Sequence, residues 1–225
     1  MLAVPVRAGA EVSLAIGGAL AVGQHDSLDG TVHGDAGPVP LIDIDADRGA
    51  FALHLESIPF VQTPRYGDQL APSVSFIESA QASLRGFLPG RTFAFGLGYG
   101  FLLTTVDRTA PEASLRFKAG GLRLEAFQRF VLSPTSRIEL TFGAIPRATG
   151  SLVTDVGIDN APVLSDPLTG MQLDATVRGV IRNRGPVSLS YGIRYLYQRY
   201  AFATSHVLVE RNDAILPFAE VRFRL

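Results

Sequence analysis

The chain has 225 residues, 47% hydrophobic and 18% charged, and its 21 acidic and 20 basic side chains give a formal net charge of -1. That balance excludes a global field that would draw nucleic acid, and the absence of cysteine excludes a disulfide scaffold and a thiolate metal site. Mean hydropathy is +0.22, yet no uninterrupted run of roughly 18 apolar residues offers a transmembrane helix, so the apolar residues must be spread by alternation.

Residues 1–10 carry Ala8-Gly9-Ala10 ahead of Glu11, a small-residue pattern of the export-cleavage kind. They read as the remnant of an export signal, with 11–225 left for one domain. Period-2 alternation then runs to the end of the chain, the signature of strands with two unlike faces. The first run, about Glu11 to Val22, sets Val12, Leu14, Ile16, Leu20 and Val22 against Ala15, Gly17, Ala19 and Ala21. The second, near 50–58, sets Phe51, Leu53 and Leu55 against His54 and Glu56. The third, near 74–88, sets Val74, Phe76, Ala82 and Leu84 against Ser79, Gln81, Ser83 and Arg85, with Glu78 breaking the apolar face and suggesting a bulge. In the fourth, Phe93, Phe95, Leu97, Tyr99, Phe101 and Leu103 oppose Ala94, Gly96, Gly98 and Gly100.

Shorter runs follow. Ala113, Leu115 and Phe117 oppose Glu112, Arg116 and Lys118; Leu122, Leu124 and Ala126 oppose Arg123, Glu125 and Arg129. Ile138, Leu140, Phe142 and Ala144 oppose Arg137, Glu139 and Arg147. Met171, Leu173, Ala175, Val177 and Ile181 oppose Gln172, Asp174, Arg178 and Arg182. Val187, Leu189, Tyr191, Ile193, Tyr195 and Tyr197 oppose Ser188, Ser190, Gly192, Arg194 and Gln198, and Val221, Phe223 and Leu225 oppose Glu220, Arg222 and Arg224. Turn residues separate the runs at 89–91, 107–111, 119–121, 133–136 and 183–186, and longer polar connections are expected over 24–47, 61–72, 149–170 and 204–213.

Alternation leaves open which face points outward. A soluble barrel or sandwich turns the apolar face in; an outer-membrane barrel turns it to lipid. Small residues on the polar face suit a crowded lumen, and a face such as Gly96-Gly98-Gly100 would weaken a strand on a soluble exterior with no packing reason. Several runs are long enough to cross a bilayer at a tilt, and most long connections fall on one side. The reading is an all-β chain: a single antiparallel transmembrane β-barrel of about ten strands, with short periplasmic turns and longer extracellular loops. A closed ring leaves no unpaired edge for lipid to penalise. Tyr99, Tyr191, Tyr195, Tyr197 and Tyr200 are candidates for the interfacial girdle in a chain without tryptophan.

The ending Ala219-Glu220-Val221-Arg222-Phe223-Arg224-Leu225 resembles the C-terminal strand of Gram-negative outer-membrane β-barrel proteins, although Leu225 stands where that class commonly has a terminal aromatic. The resemblance implies location in the bacterial outer membrane and insertion by the barrel-assembly machinery, with Val221, Phe223 and Leu225 as the assembly signal. Outer-membrane lipid, lipopolysaccharide and other envelope proteins are then the expected partners.

The inward face is where chemistry would sit. Its expected lining includes Glu56, Arg85, Arg116, Arg123, Glu125, Arg129, Arg137, Glu139, Asp174, Arg178, Arg182, Arg194 and Arg222. With Lys118, Arg147, Arg224, Glu11, Glu112 and Glu220 added, twelve basic groups face seven acidic ones, an excess that favours anions if water fills the lumen. Facing Arg–Glu pairs can equally fill a small barrel as internal packing. His54, Glu56 and Ser57 invite a hydrolase reading, as does His206, and His25, Asp26, Asp29, His33 and Asp35 cluster in the first long connection, without diagnostic spacing. Asp43-Ile44-Asp45-Ala46-Asp47 starts like a calcium loop, but Arg48 and His54 stand where glycine and glutamate are required, so alternation into a strand accounts for it better. No catalytic residue, metal site or cofactor is expected. The readings are a small porin-like channel with an Arg-rich, anion-leaning lumen, a closed structural barrel that anchors an envelope assembly, and an outer-membrane hydrolase.

Overall fold

The computed structural model describes residues 11–27, 30–62, 73–109, 112–155, 164–182, 185–202 and 209–225, with 25–27, 30–37, 60–62, 73–78, 104–109, 112–116, 153–155, 164–166, 202 and 209–210 described by backbone alone. The described residues form ten strands: β1 (Glu11–Ser27), β2 (Gly30–Arg48), β3 (Phe51–Gln62), β4 (Ser73–Phe87), β5 (Phe93–Thr109), β6 (Glu112–Ser133), β7 (Ser136–Asp155), β8 (Leu164–Arg182), β9 (Val187–Phe202) and β10 (Val209–Arg224). Each pairs antiparallel with its chain neighbours, and β1 pairs with β10 from Ser13↔Arg224 to Asp26↔Arg211, closing the barrel.

The apolar face of the alternation points outward. Ile16, Leu20, Leu53, Leu97 (55% exposed), Phe142, Leu189 and Ile193 form an exposed apolar exterior, while their small or charged neighbours are buried inside. Only a lipid solvent makes that arrangement favourable, since water would penalise so much exposed apolar surface.

Ten strands arise by a different division of the chain from the one the alternation suggested. The expected connection over 24–47 is the end of β1 and the whole of β2, and the expected turn at 119–121 lies inside one continuous β6. Gly120 and Gly121 are there for close approach: a Cβ on Gly120 would meet the Tyr99 hydroxyl at 2.7 Å, and one on Gly121 the Arg147 carbonyl at 2.4 Å. The two errors cancel in the count but not in the sidedness. With the true division, 63–72, 156–163 and 203–208 all separate strands at one end, while Gly49–Ala50, 88–92 and 134–135 make short turns at the other, where 183–186 separate β8 from β9. Gly49, Gly90 and Arg91 take positive φ in those turns. Short turns mark the periplasmic end of such barrels.

Reading β6 as two pieces also inverted its first half. Phe117 and Ala119 are buried inside and Lys118 is exposed outside, in phase with Arg123, Glu125 and Phe127 inside and Leu122 and Leu124 outside. Arg147 is likewise exposed, because β7 shifts register against β8 between Ile145 and Ala148 and both of those residues are buried. Tyr200 belongs to the interior and not to a girdle. The interruption foreseen at Glu78 is present as a register shift between β4 and β5 at Ser75/Glu78.

One joint in the wall is short. Among the described residues β2 and β3 pair only from Ile42↔Ser57 to Arg48↔Phe51, whereas β1 and β2 pair as far as Ser27↔Gly30. Pro38 and Pro40 on β2 and Pro59 on β3 flank the point where pairing stops. Proline has no N–H to give to a ladder, which confines it to edges and bulges.

Candidate functional site

The inside of the barrel is built in two layers. Toward the periplasmic end lies a charged layer carried by alternate residues of β2, β3, β4, β6, β8, β9 and β10. Arg123, fully buried on β6, forks onto Asp174 of β8 through both terminal nitrogens, the second at 2.9 Å, and lies 3.5 Å from Glu125. Arg194 of β9 reaches across the barrel to Glu56 of β3, its Nε donating to Thr176 Oγ1 at 3.0 Å. Gln81 donates to the same Glu56 at 2.8 Å. Arg178 of β8 sits 2.8 Å from Asp43 and 3.5 Å from Glu220. Arg222 of β10 bridges Asp45 (2.8 Å) and Asp43 (3.2 Å) on β2, and Arg85 joins Glu125 to Asp45. His54 is wedged among these groups, its Nδ1 2.8 Å from Asp45 Oδ1 and 3.3 Å from Asp43 Oδ1.

Glycines make room for the layer. A Cβ on Gly143 would fall 2.0 Å from Arg123 Nη2, and one on Gly96 3.1 Å from Glu125 Cβ. Gly96 of β5 and Gly143 of β7 thus accommodate the long charges of β4 and β6.

Above this layer, toward the outer end, the interior turns apolar. Val39, Leu41, Ile58, Leu102, Phe117, Ile145, Leu168, Leu196, Leu216 and Phe218 form one buried cluster. Tyr200 stacks on Phe117 at 5.8 Å with an 11° interplanar angle and donates its hydroxyl to Gln198 Oε1 at 3.1 Å. Where the layers meet, a void of about 10 Å³ lies between Leu41, Thr176, Leu216 and Phe218, room for about one water.

Of the lining residues expected from alternation, Glu56, Arg85, Arg123, Glu125, Glu139, Asp174, Arg178, Arg194 and Arg222 are buried inside. Arg129 and Arg137 are half-buried at the periplasmic mouth, and Arg182 is exposed at its rim. Arg116 is described by backbone alone, as are His25, Asp26, His33 and Asp35, and Asp29 and His206 lie outside the described residues. Val221, Phe223 and Leu225 lie on the outer face at the periplasmic end of β10. Asp43, Asp45 and Asp47 are among the lining residues missing from the expected list; their spacing of two was visible, but they fell inside the expected connection. With them in place the buried layer holds Arg85, Arg123, Arg178, Arg194 and Arg222 against Asp43, Asp45, Glu56, Glu125, Asp174 and Glu220. The expected basic excess is absent from this layer.

Asp43, His54 and Glu56 each offer one ligand atom within 4.8 Å of the others. Both carboxylates already carry guanidinium partners, and a dication would have to displace those arginines. Ser57 has the opposite parity to His54 and Glu56 and lies on the other side of the wall, so the three do not form a nucleophilic set.

No protein-family model matches the chain, and no curated protein matches it. Among solved structures, it is similar to the outer membrane protease OmpT from Escherichia coli, with 10% identity, a TM-score of 0.59, and 96% of this chain and 97% of that one covered. It also matches Neisserial surface protein A (NspA) with 12% identity and a TM-score of 0.45 over 96% of this chain and 99% of that one. At such identities the likeness concerns fold alone. Closed barrel, apolar exterior and charged interior make the chain a ten-stranded β-barrel of the Gram-negative outer-membrane class, located in that membrane.

Proposed function

We propose that the chain is a closed outer-membrane barrel that acts as an anchor, working through its two ends and not through its lumen. The observation that carries this reading is the way the described residues fill the interior. Arg194–Glu56 and Arg178–Asp43 span the barrel at the charged layer, Arg123–Asp174 bridges β6 to β8 over Gly143 of β7, and the apolar cluster closes the level above. A porin-like pathway needs continuous water, and each guanidinium across the way is held by a buried carboxylate, so an ion would have to break a desolvated pair to pass. The partners that suit an anchor are the surrounding lipid and lipopolysaccharide, the assembly machinery that reads Val221, Phe223 and Leu225, and other envelope proteins.

Planar-bilayer recording of the refolded chain tests this. The wild type is expected to insert and stay silent in symmetric salt. Glu56→Ala/Arg194→Ala, which removes a pair from the middle of the layer, is expected to raise the open probability. Discrete steps from the wild-type barrel, with a reversal potential favouring anions in asymmetric salt, would restore the channel reading.

A further inference from the structure

The positive charge missing from the buried layer reappears at the periplasmic mouth. A cavity of about 470 Å³ opens there, lined by Arg85, Arg222 and Glu139 among others, and a smaller one of about 190 Å³ lies beside it around the Pro134–Thr135 turn. Arg129, Arg137 and Arg182 line both. The other mouth arginines have partners of their own: Arg91 with Asp47 at 3.0 Å, and Arg224 with Glu11 at 2.8 Å. Arg129 and Arg137 share a single acceptor. Their Nε atoms lie 3.2 and 2.7 Å from the same oxygen, Oε1 of Glu139. Arg182 has no ion pair among the described residues; its backbone N–H donates to the Thr135 carbonyl at 2.7 Å, which ties β8 to the turn.

Two guanidiniums thus share one carboxylate, and a third, Arg182, lines the same water-open cavity without a carboxylate of its own; among these four groups two positive charges are in excess. Because Arg129 and Arg137 meet Glu139 through Nε, their terminal nitrogens are left to fork onto another acceptor. Arg129 is further held with its guanidinium carbon 5.3 Å from the Phe127 ring centroid and 5.9 Å from that of Phe87, which fixes its position before any ligand arrives. Planar forks around a +2 excess match an oxyanion carrying two charges and several acceptor oxygens.

We propose that the mouth formed by Arg129, Arg137 and Arg182 binds a phosphate-type dianion, either free inorganic phosphate or the phosphate monoester of a lipid headgroup in the adjoining leaflet. This deepens the anchor reading, on which it rests only for the mouth being a dead end. The group bound would be the barrel's handle on the periplasmic side.

The test is binding to the purified, refolded full chain, followed by phosphorus NMR line broadening and by the thermal midpoint. One arm titrates inorganic phosphate into the barrel in zwitterionic detergent; the other places the barrel in nanodiscs of phosphatidylcholine with or without phosphatidic acid. Saturable binding in either arm, weakened about tenfold or more by Arg182→Gln and again by Arg137→Gln, supports the site, and the arm that responds identifies the source. Arg211→Gln, at the far end of β10, serves as the control and is expected to bind as wild type. Both variants should keep wild-type heat-modifiable mobility on gels. Absence of saturable binding in both arms, or binding that Arg182→Gln leaves unchanged, overturns the proposal. A barrel that conducts in bilayers yet binds phosphate here would overturn the sealed lumen and leave the anion site standing.

Discussion

Arg123 shows how a residue becomes both costly and indispensable. It is fully buried, with Asp174 and Glu125 as its acceptors and a glycine, Gly143, where any side chain would collide with it. A buried pair contributes little over a well-packed apolar replacement, but half of one is strongly destabilising. Arg123→Ala, which strands Asp174, is therefore expected to cost about 3–5 kcal/mol. Gly143→Ala, which pushes the guanidinium off its partner, should cost about 3 kcal/mol. Arg123→Met/Asp174→Leu should return to within about 1 kcal/mol of wild type. Urea unfolding in lipid vesicles, followed by gel mobility, measures all three; equal losses for the single and double replacements would contradict the account.

At the scale of the strand, the controlling variable is which side of the wall a residue faces. Leu97 of β5 is paired with Leu84 and Leu124 on either side, and all three face outward. Arginine there would sit in the apolar belt, so Leu97→Arg is expected to cost about 2–4 kcal/mol, read from the same unfolding curves; a change within about 0.5 kcal/mol would place Leu97 away from lipid. Alternation made this facing legible in the sequence for β1, β3, β5, β8, β9 and β10. It failed where polar and turn-forming residues occur inside strands. Asp43, Asp45 and Asp47 alternate like a strand but fall within a stretch rich in glycine, proline and aspartate, and the arginines of β8 and β10 that meet two of them lie far away in sequence. Gly120 and Gly121 look like a turn until Tyr99 and Arg147 are seen against them. The inward list was thus largely visible residue by residue, while the pairing across the barrel, which decides between a conduit and a plug, was not.

For the whole molecule, the distribution of charge matters more than its total. A chain with a net charge of -1 holds, among the described residues, a neutralised charged layer, an apolar cluster above it and a basic lower rim. The ring that encloses them is not uniform. The joint between the two chain ends runs from Ser13↔Arg224 to Asp26↔Arg211, whereas that between β2 and β3 stops at Ile42↔Ser57 among the described residues. Hydrogen exchange in detergent should find the amides of Val39 and Ile58, next to the short joint, about tenfold less protected than those of Ala15 and Leu216. Equal protection would mean that the wall is continuous there. A hoop made of staves gives way where two of them overlap least. Under sideways stress from a crowded or thinning bilayer, this one would part within the chain, opening a slit beside Pro38, Pro40 and Pro59 while its two ends stay fastened to each other.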